Sequence, residues 1–380
     1  MSPGTPGPVQ RLPVAGPGFS SYDPAECTWL LTDLSGVALE VPTEDREELI
    51  QGGRHYAEML PVEYQPDAAY TALFGKALAA TALRLAEAVG LVGDLVLDEA
   101  RALGVDPVLV SLARAGTPVG ILLRRWLAEV HGVDAPHYAI SIVRGRGIDE
   151  VAVDHVLARH PAAAVRFVDG WTGKGAIARE LAAAVARRPG LDPRLAVLAD
   201  PGSCTDLHGT RDDFLIPSAC LNSTVSGLVS RTVLRDDLIG PGMFHGAKHY
   251  AELAADDVSA EFLDAVSSRF AEVAPSVAAR RDAHRAADRA PTWAGRRAVE
   301  RIAAEAGITD VNLVKPGVGE TTRVLLRRVP WRVLVRPDRS ADLEHVLVLA
   351  GQRGVPVVER ADLPYSCIGL IRPAGTPPAR

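Results

Sequence analysis

The sequence predicts an α/β protein with a mainly parallel sheet, a helical N-terminal extension and a small C-terminal α/β/α sandwich. Three observations support this fold class. From residue 94 onward, short apolar runs of strand length alternate with segments of helical periodicity. A second alternation of the same kind begins after residue 290, and the stretch between the two, 276–290, has almost no large apolar residues.

The elements of the first half follow from these periodicities. Apolar residues at three- and four-residue spacing predict that 45–60 and 70–89 are mostly helical. Strands separated by helices of this length favour right-handed crossovers and a parallel sheet. The strands are predicted at 107–112, 137–144, 165–169 and 194–199, and the helices at 120–130, 148–160 and 175–187.

The second half repeats the pattern on a smaller scale. Helices are predicted at 295–306, 321–328 and 343–353, and strands at 311–314, 333–336 and 356–358. We therefore divide the chain into a flexible Pro/Gly-rich tail (1–20), a first domain (21–275), a linker (276–290) and a second domain (291–380).

Composition narrows the function classes. The net charge of −6 provides no bulk attraction for nucleic acid or anionic membranes, so only a local basic patch could bind either. Four cysteines without pair spacing, no secretory leader and no apolar run of membrane-spanning length predict a cytoplasmic protein with reduced thiols. We expect no membrane partner and no metal site made of side chains.

One segment predicts an anion site at the carboxyl end of a strand. The run 164–176 reads as a buried strand, then Asp169, then a tight glycine turn, then a helix start. Backbone N–H groups at such a helix start converge on one point and favour an anion. The residues expected to bind it are Thr172, Gly173, Lys174 and Gly175, and Asp169 would bind the hydroxyls of a sugar.

A second strand–turn–helix connection, here called a corner, has the same order of elements. Arg114 follows the apolar run 107–112 and precedes a helix, and its planar guanidinium can donate two hydrogen bonds to a phosphate. Gly116 allows the backbone to approach closely, so this corner adds Ala115, Gly116 and Thr117. Two further basic residues, Arg144 and Arg146, follow the next strand. Two anion corners on neighbouring parallel strands predict a ligand with two phosphate groups.

These motifs resemble the diphosphate and phosphoribosyl-diphosphate loops of type I phosphoribosyltransferases. More closely, the chain resembles the phosphoribosyltransferase-like proteins found with tellurite-resistance stress genes, which are also labelled the StiP cysteine protease family. The resemblance spans about residues 20 to 275, although Gly170 stands where the wider class carries a second acid. The matching runs are 51–64, 111–120, 137–149, 167–177, 213–232 and 244–250.

The resemblance implies a phosphoribosyltransferase-type sheet that transfers a phosphoribosyl group to an unnamed acceptor in a nucleotide-related stress pathway. Asp169 would be catalytic. The Arg114 corner, Arg144 and Arg146 would hold the diphosphate, and Mg²⁺ would arrive with the phosphoribosyl donor.

Two other functions stay open. The family label implies a cysteine peptidase, with Cys220 as nucleophile and His208 or His245 as base, although a buried structural cysteine is the more common interpretation. The last ninety or so residues resemble the RNA-binding fold of pelota C-terminal and kink-turn-binding ribosomal proteins, in which 317–323 would touch structured RNA. A non-enzymatic, nucleotide-sensing RNA-binding factor is therefore the third hypothesis.

Overall fold

The first half is built around a parallel sheet. The computed structural model describes residues 18–42, 45–46, 49, 52–63, 65–66 and 68–372. The strands, in chain order, are β1 Thr28–Trp29, β2 Val108–Ala113, β3 His137–Val143, β4 Val165–Trp171, β5 Leu195–Ala199 and β6 His208–Thr210. They lie in the order β1-β3-β2-β4-β5-β6 with every neighbouring pair parallel, and the short strand Gly147–Ile148 runs antiparallel beside β3. The predicted mainly parallel sheet is confirmed.

Helices cover both faces of this sheet. They are α1 Ala68–Ala102, α2 Thr117–His131, α3 Glu150–Leu157, α4 Ala176–Val185, α5 Ser259–Ser267 and α6 Phe270–Ala286. Alternate residues of β2 belong to different apolar clusters: Leu109 packs with α1, α2, α5 and α6, while Val108 and Val110 pack with α3 and α4. Such two-sided burial explains why the strands read as continuous apolar runs.

The helix pair α1 and α2 depends on one large aromatic residue. Trp126 of α2 is buried, meets Phe270 edge-on at 5.1 Å between ring centroids, and donates its indole N–H to Asp94 at 2.9 Å. A Cβ at Gly90 or Gly93 would lie 2.7–2.8 Å from this ring. Gly90 and Gly93, two of the glycines inside α1, are therefore explained by the space that Trp126 occupies.

The N-terminal extension differs from its prediction in two places. Within the span predicted as helix at 45–60, Tyr56–Glu58 forms a single 3-10 turn, and Leu60–Pro61 pairs in parallel with Glu40–Val41. Gly53, at φ +96°, interrupts helical geometry just before this turn. In contrast, α1 continues as far as Ala102 instead of ending near 89. The predicted tail at 1–20 lies largely outside the described residues.

The second half contains a four-stranded mixed sheet. Its strands are β7 Val314–Pro316, β8 Pro330–Val335, β9 Val357–Glu359 and β10 Cys367–Ile371, and its helices are α7 Ala294–Glu305, α8 Val318–Arg327 and α9 Glu344–Gln352. The order is β7-β10-β8-β9, with β10 antiparallel to both neighbours. Leu334 packs toward α7 and Val333 toward α8 and α9, so helices cover both faces.

The segment between the halves is largely helical. Helix α6 runs to Ala286, and Val277 is buried, close enough that a Cβ on Gly90 of α1 would touch it. Much of the predicted linker at 276–290 therefore belongs to the helical layer of the first half. The domain boundaries themselves stay a prediction. No helix in the described part of the chain is both long and apolar enough to cross a membrane.

Candidate functional site

A cleft of about 310 Å³ lies at the carboxyl edge of the sheet, between the two halves. The first half contributes the 3-10 turn, the end of β3 and the whole β4–α4 connection; the second half contributes β7 and the start of α8. The lining includes Tyr56, Arg144, Asp169, residues 171–178, residues 314–316 and Glu320. This edge is where ligands of open parallel sheets bind.

The β4–α4 connection forms the floor of the cleft. The Thr172 N–H continues the ladder to the Ala199 carbonyl at 3.0 Å, and its buried hydroxyl bonds to Asp200. Gly175 caps α4 in the left-handed region at φ +73°, where Trp293 of the second half packs against it. The Tyr365 hydroxyl, also from the second half, donates to the Gly173 carbonyl at 3.1 Å. The predicted tight turn is present, and the second half packs against it.

Asp169 lies near the carboxyl end of β4 and lines the cleft. Its Oδ1 accepts the N–H of Gly170 at 2.8 Å. Burial raises the pKa of Asp169 to about 7, because no cation among the described residues offsets the desolvation of the carboxylate. At neutral pH the group can therefore exchange a proton with a bound molecule.

Two lysines line the cleft from opposite sides. Lys174 donates its Nζ to the carbonyl of Val311 at 2.9 Å and to Asn312 Oδ1 at 3.1 Å, and burial together with nearby Lys315 lowers its pKa to about 8. Burial also lowers the pKa of Lys315, whose carboxylate neighbour Glu320 lies 3.9 Å away. Positive charge is therefore concentrated where the two halves meet.

Arginines extend this charge along the edge of the sheet. The backbone N–H of Arg144 donates to the Tyr56 hydroxyl at 2.9 Å, and its guanidinium carbon lies 5.9 Å from the centroid of that ring. Arg231 approaches the same ring at 5.7 Å. Burial, Arg114 and Arg46 together lower the pKa of Arg231 to about 10.

The second predicted corner lies outside this cleft. Arg114 Nη1 donates to the Val229 carbonyl at 2.9 Å and lies 3.6 Å from Glu63, so protein groups engage this nitrogen of the guanidinium. Gly116 packs so closely that a Cβ would lie 2.4 Å from the Val168 carbonyl, and the buried Thr117 hydroxyl has no partner among the described residues. Ala115, Gly116 and Thr117 do not line the cleft.

The predicted anion residues therefore separate into two groups. Arg144, Asp169 and the turn 172–175 meet in one cleft. Arg146 instead pairs with Glu58 and donates to the Leu234 carbonyl at 3.2 Å. Sequence analysis did not identify Tyr56 and Lys315 as lining residues, because they come from the extension and the second half, and only the tertiary fold brings them to β4.

A buried carboxylate from the first half accepts two backbone N–H groups of the second half, one of them at the start of α8. Asp213 Oδ1 accepts the N–H of Val318 at 2.9 Å, and its Oδ2 accepts the N–H of Ser366 at 2.8 Å. Burial raises the pKa of Asp213 to about 6. Arg323 Nε donates to the Ala219 carbonyl at 2.8 Å, so the predicted RNA-contacting segment 317–323 faces the first half.

All four cysteines are buried thiols outside any disulfide. Burial, helped by nearby carboxylates, raises the pKa of three of them: that of Cys204 to about 12, and those of Cys27 and Cys367 well above the ordinary value. Cys220 follows the 3-10 turn Pro217–Ala219 and is completely enclosed.

The two histidines predicted as candidate bases differ in their contacts. His208 is buried, its ring nitrogens bond to no described residue, and burial with nearby Arg211 lowers its pKa to about 3. His245 Nδ1 lies 2.9 Å from the Ser141 hydroxyl, and its backbone N–H donates to Asp149. Among the described residues, no group of three or more histidine, cysteine, aspartate or glutamate side chains could hold a metal ion.

Comparison with known proteins gives two family matches. Residues 20–267 match the family described as "tellurite-like stress resistance cysteine protease StiP", and residues 293–373 match the PELOTA RNA-binding domain family. The protein named "Cysteine protease StiP" from Acinetobacter baylyi is 35% identical over 379 residues, which cover 94% of this chain and 95% of the relative. No solved structure matches the chain significantly. The chain therefore belongs to the StiP family of tellurite-like stress resistance cysteine proteases.

Proposed function

We propose that this protein is a cysteine-dependent peptidase with Cys220 as its nucleophile. The observation that carries the proposal is membership of a family described as cysteine proteases, together with a relative of that name that aligns over nearly the whole chain. The four cysteines and the two candidate bases, His208 and His245, are then the groups that need a chemical assignment.

The prediction of phosphoribosyl transfer is wrong. The family match and the relative both indicate a cysteine protease, which was the alternative hypothesis. The Mg²⁺ ion and the catalytic role of Asp169, which the resemblance implied for that reaction, stay untested predictions. The strand–turn–helix corners indicate where an anion could sit, but they do not specify which bond breaks.

A cationic neighbour of the preceding turn supports Cys220. The Arg323 guanidinium bonds to the carbonyl of Ala219, the residue before Cys220, and a nearby positive charge favours the thiolate that a peptidase nucleophile needs. Burial beside carboxylates raises the pKa of the other three thiols. Cys220 is buried as well, so its ionisation requires an opened form of the protein.

The enclosure of Cys220 implies a closed resting form. Its side chain has no exposed surface, and a Cβ on Gly319 of the second half would lie 3.0 Å from the side chain of Ala219. A peptide would therefore reach Cys220 only after α8 moves away from the turn. We propose that displacement of the second half opens the site.

The chemistry then follows the usual two steps. A base takes the proton of Cys220, the thiolate sulfur attacks the scissile carbonyl carbon, and the C–N bond breaks as the protonated base returns its proton to the leaving amine. Water hydrolyses the resulting thioester. His208 and His245 are the two candidate bases: no described residue engages the ring nitrogens of His208, but its pKa is lowered to about 3, whereas His245 is engaged by Ser141.

Matched variants test the assignment. Cys220→Ala should reduce hydrolysis of unfolded, fluorescently labelled casein by at least about a thousandfold, as loss of a nucleophile does elsewhere. Cys204→Ala, another buried thiol of the same half, should retain the activity. His208→Ala and His245→Ala distinguish the two bases. Activity that survives in Cys220→Ala and is lost in Cys204→Ala would contradict the assignment, and a wild-type protein without any hydrolysis would contradict the peptidase itself.

We also propose that the second half binds RNA, because residues 293–373 match an RNA-binding family. Structured RNA should raise the fluorescence anisotropy signal of the full chain, and the binding should weaken as salt rises.

A further inference from the structure

We propose that the cleft between the two halves holds one nucleotide of an RNA chain and that residues of the peptidase half bind its phosphates. This inference rests on the RNA binding proposed for the second half and extends it across the interface. The cleft has a volume of about 310 Å³, which lies at the small end of the usual range for ligand sites and suits a single nucleotide.

The charges of the cleft call for an anion. Arg144, Lys174 and Lys315 line it, and of the two carboxylates present, Glu320 is shared between Arg323 at 3.0 Å and Lys315 at 3.9 Å. The Arg144 guanidinium is exposed and has no carboxylate partner among the residues that the structure describes. Cations that outnumber the carboxylates beside them repel one another, and a bound phosphate would relieve that repulsion.

A further arginine lies beside the cations of the cleft. Arg144 approaches the Tyr56 ring at 5.9 Å, and Arg231, which does not line the cleft, approaches the same ring at 5.7 Å. A basic groove is how single-stranded nucleic acid is usually bound.

Aromatic rings add a surface for a base. Trp171 and Tyr56 both line the cleft, and unstacked RNA bases are commonly bound on aromatic side chains beside arginine. The second half supplies the link to RNA, because Lys315, Pro316 and Glu320 of the cleft lie within the segment matched to the RNA-binding family. The same RNA strand would thus contact both halves.

The test uses the full chain and a short fluorescent single-stranded RNA of mixed sequence. Arg144→Gln is the main variant, because Arg144 belongs to the first half and bonds to Tyr56 through its backbone. It should weaken binding about three- to tenfold and reduce the slope of log K against log salt by about 0.7, the value for one lost phosphate contact. Lys315→Gln should have the same effect from the other side of the cleft.

Two controls separate the effect of positive charge in the cleft from the effect of the contacts that join the two halves. Lys174→Gln should weaken binding and Lys174→Arg should preserve it, although both alter the contacts of Lys174 with Val311 and Asn312. Arg188→Gln removes the same charge outside the cleft, where Arg188 pairs with Glu150 and Asp154, and should leave binding unchanged.

Three outcomes would overturn the inference. If wild type binds RNA and Arg144→Gln and Lys174→Gln bind equally well, the cleft takes no part, and RNA binding by the second half stands alone. If wild type does not bind RNA, both proposals are wrong. If inorganic pyrophosphate at low micromolar concentration displaces the RNA, the cleft recognises a small phosphate compound rather than an RNA chain.

Discussion

At the scale of single residues, the cleft holds charged side chains that are partly removed from water and have few compensating partners. Among the described residues, half-buried Asp169 has only the Gly170 N–H as a partner, and Lys174 and Lys315 are half-buried near other cations. Each of these arrangements costs folding free energy, which neutral side chains would avoid. Groups that reduce stability in this way are typical of functional sites, where a ligand compensates for the cost.

Asp169→Asn should stabilise the protein at alkaline pH. The pKa of Asp169 is about 7 in the folded protein, whereas an unfolded chain has the ordinary value of 3.8, so the folded state retains a proton that the unfolded chain releases. Its contribution to the free energy of unfolding therefore falls as pH rises between these two values. The neutral amide still accepts from Gly170 and should raise the free energy of unfolding by about 1–3 kcal/mol at alkaline pH.

Urea denaturation on both sides of this interval measures the effect. At about pH 8 the variant should be more stable than wild type, and at about pH 4 the two should converge, because Asp169 is then protonated in the folded protein. A variant that is less stable than wild type at alkaline pH would show that the carboxylate is well compensated in the folded state.

At the scale of elements, the sequence predicted the site's backbone well. β2, β4, α2 and α4 lie within a few residues of their predicted positions, because two-sided burial leaves continuous apolar runs and glycine marks the turns. Partners from distant segments could not be predicted. Tyr56 lines the same cleft as the β4–α4 turn and Trp293 packs against that turn, although both residues lie more than a hundred positions from it in the sequence. No local sequence pattern encodes such contacts.

Gly175→Ala should destabilise the β4–α4 connection by about 2–4 kcal/mol. The residue is at φ +73°, and a Cβ there would lie 2.4 Å from the Trp293 ring and 2.8 Å from Cys204 Sγ. Left-handed backbone costs a residue with a Cβ about 1 kcal/mol, and displacing a packed ring costs about 1–3 kcal/mol more.

Gly173→Ala is the matched control in the same turn. Its nearest neighbour would be Pro316 Cγ at 3.7 Å, an ordinary contact, so its thermal unfolding should stay close to wild type. Equal losses of stability in the two variants would show that general stiffening of the turn matters, and not the contact with Trp293.

At the scale of the whole molecule, the two halves share an interface with apolar packing and buried hydrogen bonds. Val318 and Leu325 of α8 belong to the same apolar cluster as Ala219 and Leu221 of the first half, and Asp213 caps the start of that helix. Sequence analysis predicted two α/β units but not this contact, since an isolated aspartate after a strand gives no indication of its distant partner. It also assigned the wrong reaction, because an anion corner fits several chemistries.

Asp213→Ala should uncouple the halves. Removal of the carboxylate leaves the buried N–H groups of Val318 and Ser366 without acceptors, at about 1–3 kcal/mol each. Calorimetry should then resolve an early transition for the second half ahead of the first, whereas we expect wild type to unfold in one step. If the closed-form proposal is correct, the same variant should also expose Cys220 to iodoacetamide, as mass spectrometry of the labelled protein would show.

Asp212→Ala is the control for this substitution, because Asp212 pairs near the surface with Arg84 and Arg339 and such pairs contribute no more than about 1 kcal/mol. It should retain the single transition and the protected thiol. An Asp213→Ala protein that melts like wild type would mean that apolar packing of α8 alone holds the halves together. If it unfolds in two steps while Cys220 stays unlabelled, the halves can separate without opening the proposed nucleophile, and the gating role of the second half would be wrong.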